Sequence, residues 1–274
     1  MKNSNHSIGV FDSGIGGLTV VKRIESFLPN EKMIYFGDTA RVPYGTKSNA
    51  TVVEYSIQDA NFLISKDVKI IVVACNTASS VALSAIEDRF NLPVIGMIEP
   101  GSELALNETR NGKIGVIGTN ATINNKAYSK QLKKQDKQIK VFEKACPLFV
   151  PLAEEGWTDH EVSFLVAEEY LNEFKEIGID TLVLGCTHYP LLADVIHKVL
   201  GNNVSLIDSG TAASIQVKKY LEKNDLSNIM KNKKVQHEFY VSDLPDKFRV
   251  IAERFMGRPI KKINKVDLEE IINL

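Results

Sequence analysis

Residues 69–77 read KIIVVACNT and residues 180–188 read DTLVLGCTH. In each stretch a run of β-branched and other apolar residues ends in a cysteine followed by polar residues. A continuous apolar run, without the alternation of a half-exposed strand, fits a strand covered on both faces in a parallel sheet. Each cysteine then sits where its strand ends. A second pair echoes the first, because IGVFDSG at 8–14 resembles IGVIGTN at 114–120. Twice, therefore, an early strand is followed by a strand ending in cysteine, which predicts two similar halves.

Further β-branched runs lie at 33–36, 93–98, 139–143, 204–208 and 238–242, and helical periodicity marks 18–27, 51–65, 79–90, 159–177 and 212–223. Strand and helix alternation of this kind predicts an α/β protein of two similar doubly wound lobes with mainly parallel sheets. The boundary is expected near Glu99-Pro100-Gly101 and a return crossing near Asp208-Ser209-Gly210. Residues 1–98 and 208–274 would then form the first lobe and 99–207 the second. In open α/β sheets ligands bind beyond the carboxyl ends of the strands. Asp12, Cys75, Thr119 and Cys186 all fall at such ends, so the active site is expected in the cleft between the lobes.

Composition narrows the function. The 274 residues carry 33 Lys+Arg against 34 Asp+Glu, a net charge of -1. No sequence-wide positive field exists for phosphate attraction, so nucleic acid is not an expected partner. Apolar runs such as Ile70 to Cys75 are far below the ~18–20 residues of a membrane helix. Residues 1–7 are polar and lack the apolar stretch of a signal peptide. A cytoplasmic protein without a membrane partner is expected. The Lys-rich stretches 133–140 and 231–234 read as solvated surface. Three cysteines cannot complete a disulfide framework, and in a reducing compartment they stay thiols.

Cys75 and Cys186 would lie at strand-to-helix junctions, where a helix N-terminus favours the thiolate. Burial as ordinary strand ends is the plainer reading. It weakens when two cysteines share one context. Metal binding lacks a CxxC pair, and the CxH at 186–188 has no second half. A redox dithiol also lacks its usual C-x-x-C, and a cysteine hydrolase built on Cys186 and His188 would leave Cys75 idle. The glycine cluster DSGIGGL at 12–18 fits neither the dinucleotide fingerprint nor a P-loop. Asp12 at its mouth would repel phosphate, which suits a ligand bearing a cationic group beside an anionic one. His188, two residues after Cys186, and Asp12, ending the first strand, could each partner a thiol. Asp38 reads as a turn or helix cap, and Cys146 as structural.

Taken together, FDSGIGGLTV (11–20), GDTARVPYG (37–45), ACNTAS (74–79), IGVIGTNATI (114–123), PLAEEG (151–156) and LGCTHYPLL (184–192) resemble, in order, the bacterial glutamate racemases of the cofactor-independent aspartate/glutamate racemase family. The resemblance implies interconversion of L- and D-glutamate without a cofactor, supplying D-glutamate for peptidoglycan. It implies Cys75 and Cys186 as the two bases, with Asp12 and His188 as their partners. It further implies glutamate contacts from Asp12, Ser13, Tyr44, Gly45, Asn76, Thr77, Thr119 and Thr187, with Asp38 and Glu154 as supporting acids. Glu155 is the alternative to Glu154, and spacing back from Gly156 favours Glu154. By analogy a homodimer is expected. The extended N-terminal segment of family members resembling the nucleotide-activated enteric enzymes is not seen, which implies activator independence. Beyond residue 220 no motif is matched.

Two thiols make chemical sense, because inverting an α-carbon needs one group to take the proton from one face and another to return a proton to the opposite face. The nearest rival is a racemase of aspartate or a hydantoin. A binding module for a small dicarboxylate is the rival from another class, and the paired thiols argue against it.

Overall fold

The computed structural model describes residues 4–228, 235–244 and 248–272. The Lys-rich stretch 231–234 lies outside them, whereas 133–140 is exposed except for Ile139, as expected of a solvated face.

The chain begins β1 (Ser7–Asp12), α1 (Leu18–Phe27), β2 (Met33–Gly37), a 3-10 turn (Tyr44–Thr46), α2 (Asn49–Ile64), β3 (Val68–Val73), α3 (Asn76–Val81), α4 (Leu83–Arg89) and β4 (Val94–Ile95). It continues α5 (Ile98–Glu108), β5 (Lys113–Gly118), α6 (Asn120–Asn124), α7 (Ala127–Gln135), β6 (Lys140–Ala145), α8 (Phe149–Glu155), α9 (Glu161–Ile177), β7 (Thr181–Gly185), a 3-10 turn (Tyr189–Leu192), α10 (Ala193–Leu200), β8 (Ser205–Asp208) and α11 (Ser209–Lys223). Beyond it lie β9 (Glu238–Val241), α12 (Phe248–Met256), β10 (Asn264–Lys265) and α13 (Leu268–Ile272).

Two sheets result, ordered β10-β9-β2-β1-β3-β4 and β6-β5-β7-β8. Every pairing is parallel. The four strands β2-β1-β3-β4 correspond in order to β6-β5-β7-β8, so the sequence echo has a structural basis. β1 matches β5 and β3 matches β7. The central strands β1, β3 and β7 are buried at every residue, as helices on both faces require, while edge strand β6 is buried at none.

Two local expectations need correction. The run 93–98 forms only the two-residue β4, because α5 starts at Ile98 and draws the chain out of the sheet. The periodic stretch 79–90 is not one helix: α3 and α4 meet at Ala82, a turn residue whose φ of -106° departs from regular helix values. Among the described residues no helix is long and apolar enough to cross a membrane.

At the opposite end of the first sheet from the strand-end cysteines, Lys69 at the start of β3 is buried. Its Nζ donates to Glu31 Oε2 at 2.6 Å and to the carbonyls of Ser4 and Leu226 at 2.8 Å each. Both side chains are almost fully covered, at 2% and 3% exposure. Lys69→Met strands a buried carboxylate, for which a loss of about 3–5 kcal/mol is expected in urea unfolding. The double variant Lys69→Met/Glu31→Met should recover most of that loss; a single variant as stable as the parent would show the pair to be dispensable.

Candidate active site

Where strands end, the backbone must enter helices whose first N–H groups have no internal partner. Short polar side chains meet that need, and here they are also the chemically interesting ones. Cys75 caps α3, its sulfur accepting from the Ala78 N–H at 3.5 Å. Thr119, at the matching end of β5, caps α6 by accepting from the Thr122 N–H at 3.3 Å. Its hydroxyl also lies 2.9 Å from that of Thr77, which links α3 to α6 and so the first sheet's helices to the second's.

Between the two sheets lies a cavity of about 220 Å³, a size suited to a small metabolite rather than a dinucleotide. Its walls bring together Cys75, Cys186, His188 and Glu154 with Ser13, Tyr44, Gly45, Asn76, Thr77, Thr119 and Thr187. Pro147 and Val150, which no sequence motif signalled, and Pro151, which opens the PLAEEG motif, add an apolar wall from α8 and its approach. Two predicted residues lie behind the cavity wall, and a third meets it only in part. Asp12 is buried behind the wall, where Oδ2 accepts from the Gly14 N–H at 3.0 Å and Oδ1 has no hydrogen-bond partner among the described residues. Asp38 is also buried away from the cavity. Tyr44 contributes to the wall, but its phenol turns away from it.

That phenol lies between two buried carboxyl groups, its oxygen 2.5 Å from Asp38 Oδ2 and 2.9 Å from Asp59 Oδ2. Arg41 closes the cluster, with Nε on Asp38 at 2.7 Å and Nη2 on Asp59 at 3.0 Å. Ser242, just beyond β9, donates to Asp38 Oδ1 at 2.8 Å. One guanidinium cannot neutralise two buried carboxylates. Burial, followed by the nearby Asp38 charge, holds the Asp59 carboxyl well above its ordinary range, which favours its neutral form. The cluster anchors the 42–46 segment, whose Tyr44 and Gly45 line the cavity at the start of a 3-10 turn, where backbone N–H groups have no helical partner. Arg41 and Asp59 were not legible as site residues, because neither lines the cavity.

The two thiols sit in unlike fields. Cys75 donates to Ser13 Oγ at 3.5 Å. Burial first, and then the Asp12 carboxylate, push its thiol up to about 12, against the helix-terminus lowering expected from its position. A short helix's amides are outweighed by full desolvation. Cys186 Sγ stands 3.8 Å from His188 Nδ1, whose Nε2 meets Glu154 Oε1 at 2.9 Å. Of the two candidate glutamates, Glu154 is thus the one at the imidazole. Burial opposes the imidazolium, but the hydrogen bonds to Cys186 and Glu154 and their charges prevail and lift His188 to about 10. A cation is therefore placed to neutralise charge on Cys186 when its proton leaves. Asp12 is raised by burial, with the His188 charge countering it. Cys146 is buried beneath the second lobe's helices, its sulfur 3.7 Å from the Lys144 carbonyl, as expected of a structural cysteine.

Comparison with known proteins follows this geometry. Residues 8–217 match the profile of the Asp/Glu/Hydantoin racemase family. A glutamate racemase of Geobacter metallireducens is 50% identical over 263 residues, 96% of this chain and 97% of its own length. The crystal structure of the glutamate racemase of Francisella tularensis in complex with D-glutamate superposes with a TM-score of 0.91 at 44% identity, covering 97% of this chain and 99% of that one. The RacE1 isoform from Bacillus anthracis gives a TM-score of 0.92 at 38% identity, over 97% and 99% of the two chains.

The raised His188 carries a stability signature. The folded state holds its proton up to about pH 10, whereas the unfolded chain releases it near 6.5. The stabilisation is therefore complete below pH 6.5 and fades as pH climbs through 10. Thermal unfolding of the parent and His188→Asn across pH 6 to 10.5 should show a gap that narrows with rising pH; a gap that widens would reverse the assignment.

Proposed function

The chain belongs to the Asp/Glu/Hydantoin racemase family, and on that premise we propose that it interconverts L- and D-glutamate by two opposed cysteine acid/base groups without a cofactor. The observation that carries this reading is the pair of thiols at corresponding strand ends, after β3 and after β7, lining one small cavity from two different sheets. Glutamate is favoured over aspartate by the substrate of the relatives named above.

On this reading the Cys186 thiolate removes the α-proton of L-glutamate while the Cys75 thiol gives a proton to the opposite face. Cys75 is suited to the acid role, since its thiol is held up to about 12. His188 neutralises the proton-poor Cys186, and Glu154 orients the ring. After one turnover the protons are exchanged, leaving Cys186 as thiol and Cys75 as thiolate, the state that D-glutamate requires. The carbanion that forms at the α-carbon is feebly stabilised in water, so preorganised donors must bear its charge. The hydroxyls of Ser13, Thr77, Thr119 and Thr187, the Asn76 amide and the N–H groups of Tyr44 and Gly45 are the candidates. The partly apolar walls strengthen each of these interactions.

Asn76 is itself held, its Oδ1 accepting from Tyr128 at 2.6 Å and its Nδ2 donating to Ser209 at 3.2 Å. Asp12 would act from behind Ser13, through the field it exerts on Cys75. We further place the enzyme in the cytoplasm, as a homodimer supplying D-glutamate for peptidoglycan, with neither nucleic acid nor membrane as partner.

Circular dichroism with chelator-treated enzyme should show L- and D-glutamate racemising without pyridoxal phosphate, metal or nucleotide. In heavy water, Cys75→Ser should stop racemisation yet slowly exchange the α-proton of L-glutamate with retention, and Cys186→Ser should do the same for D-glutamate. Either variant exchanging both enantiomers at similar rates in NMR would mean that one base suffices.

A further inference from the structure

Residues beyond 217 fall outside the region matched by the family profile, yet α12 returns to the back of the cavity. Phe255 is fully buried in the first lobe's core and sets its ring edge-on to the His188 imidazole, with centroids 5.4 Å apart at 86°. Its neighbour Arg254 reaches α8 in the other lobe, where Nη1 donates to the Glu154 carbonyl at 2.9 Å. That carbonyl belongs to the last turn of α8, where helices leave acceptors open and a cation is favourable. Gly156 makes the approach feasible. It ends α8 with φ +77°, and a Cβ there would stand 2.4 Å from Arg254 Nη1.

Two adjacent residues of α12 thus hold both members of one hydrogen-bonded pair. Arg254 fixes the helix end that carries Glu154, and Phe255 supports the ring that Glu154 orients toward Cys186. We propose that Arg254 and Phe255 are positioning residues that fix the Glu154–His188 pair against Cys186 and thereby act on the Cys186 half of the reaction. The inference rests on the two-thiol reading given above. Cys75 is held instead by Ser13 and the Ala78 N–H.

The test must separate this role from general stabilisation. Enantiomers have equal free energies in water, so kcat/KM is equal in the two directions for every variant and cannot reveal which thiol is impaired. Primary isotope effects on kcat/KM can, measured with α-deuterated L- and D-glutamate. Slowing transfer at Cys186 raises the effect for deuterated L-glutamate and lowers it for deuterated D-glutamate. Arg254 is exposed, so Arg254→Ala should fold; it should lose about 3–10-fold in kcat/KM and raise the L-to-D ratio of isotope effects. Arg254→Lys should restore part of both, Phe255→Leu should move the ratio the same way, and His188→Asn should move it furthest. A loss in Arg254→Ala with an unchanged ratio, or a ratio moving the other way, overturns the proposal. Cys75→Ser and Cys186→Ser variants that each exchange the α-proton of both enantiomers alike instead overturn the two-thiol reading beneath it.

Discussion

Where the loop after β1 crosses the loop after β7, the two lobes approach too closely to admit a methyl group. A Cβ on Gly16 would stand 2.1 Å from Thr187 Oγ1 and 2.6 Å from His188 Nδ1. Beside it the Thr19 hydroxyl donates to the Thr187 carbonyl at 2.8 Å. This contact sets the separation of the two sheets at the cavity, with the Gly16 main chain against the Thr187 and His188 side chains and the Thr19 hydroxyl against the Thr187 carbonyl. Ser13 and Cys75 on one side and Cys186 and His188 on the other inherit their spacing from it. A reaction that passes a proton through the α-carbon from one face to the other tolerates little drift in that spacing, since misplacement by about an ångström costs orders of magnitude in rate. Close packing supplies the stiffness, because interiors at crystal-like density do not yield smoothly.

Much of this frame was written locally. The runs at 70–75 and 182–186 are apolar throughout because helices cover both faces of β3 and β7, and the cysteines end them because a strand end is where polar side chains become useful as caps. The repeat of that pattern survives as the shared strand order of the two sheets. What the sequence could not disclose depends on residues that meet only in the fold. Asp59 is in the middle of α2, and nothing around it distinguishes a buried partner of Tyr44 from a surface acid. Tyr44 itself was readable as a site residue but not as one whose phenol faces away, since direction depends on the carboxylates behind it. Arg254 and Phe255 lie in an unremarkable amphipathic helix whose inner face is decided by packing.

The expected lowering of the Cys75 thiol shows the same limit in electrostatic form. A helix N-terminus is a local feature and is visible from sequence, whereas desolvation and the distance to Asp12 are not. In the folded protein the non-local effects dominate, and the thiol rises to about 12. The magnitude matters for function, because it leaves Cys75 protonated across the physiological range while a raised His188 faces the other sulfur.

Such inequality between two thiols looks at first like a poor arrangement for an enzyme that must run both ways. The equilibrium removes the difficulty. With substrate and product of equal free energy, kcat/KM is the same in either direction whatever the thiols' proton affinities. Unequal affinities can only divide each direction differently between binding and turnover. What the chemistry does require is that one sulfur be proton-poor while the other is proton-rich. Two thiols in identical fields would spend much of their time both protonated, with neither able to begin. An anion behind Cys75 and a cation beside Cys186 favour one of the two mixed states in the free protein. On the proposed mechanism the asymmetry of the surroundings is therefore what allows the two chemically identical groups to act as acid and base in a single passage.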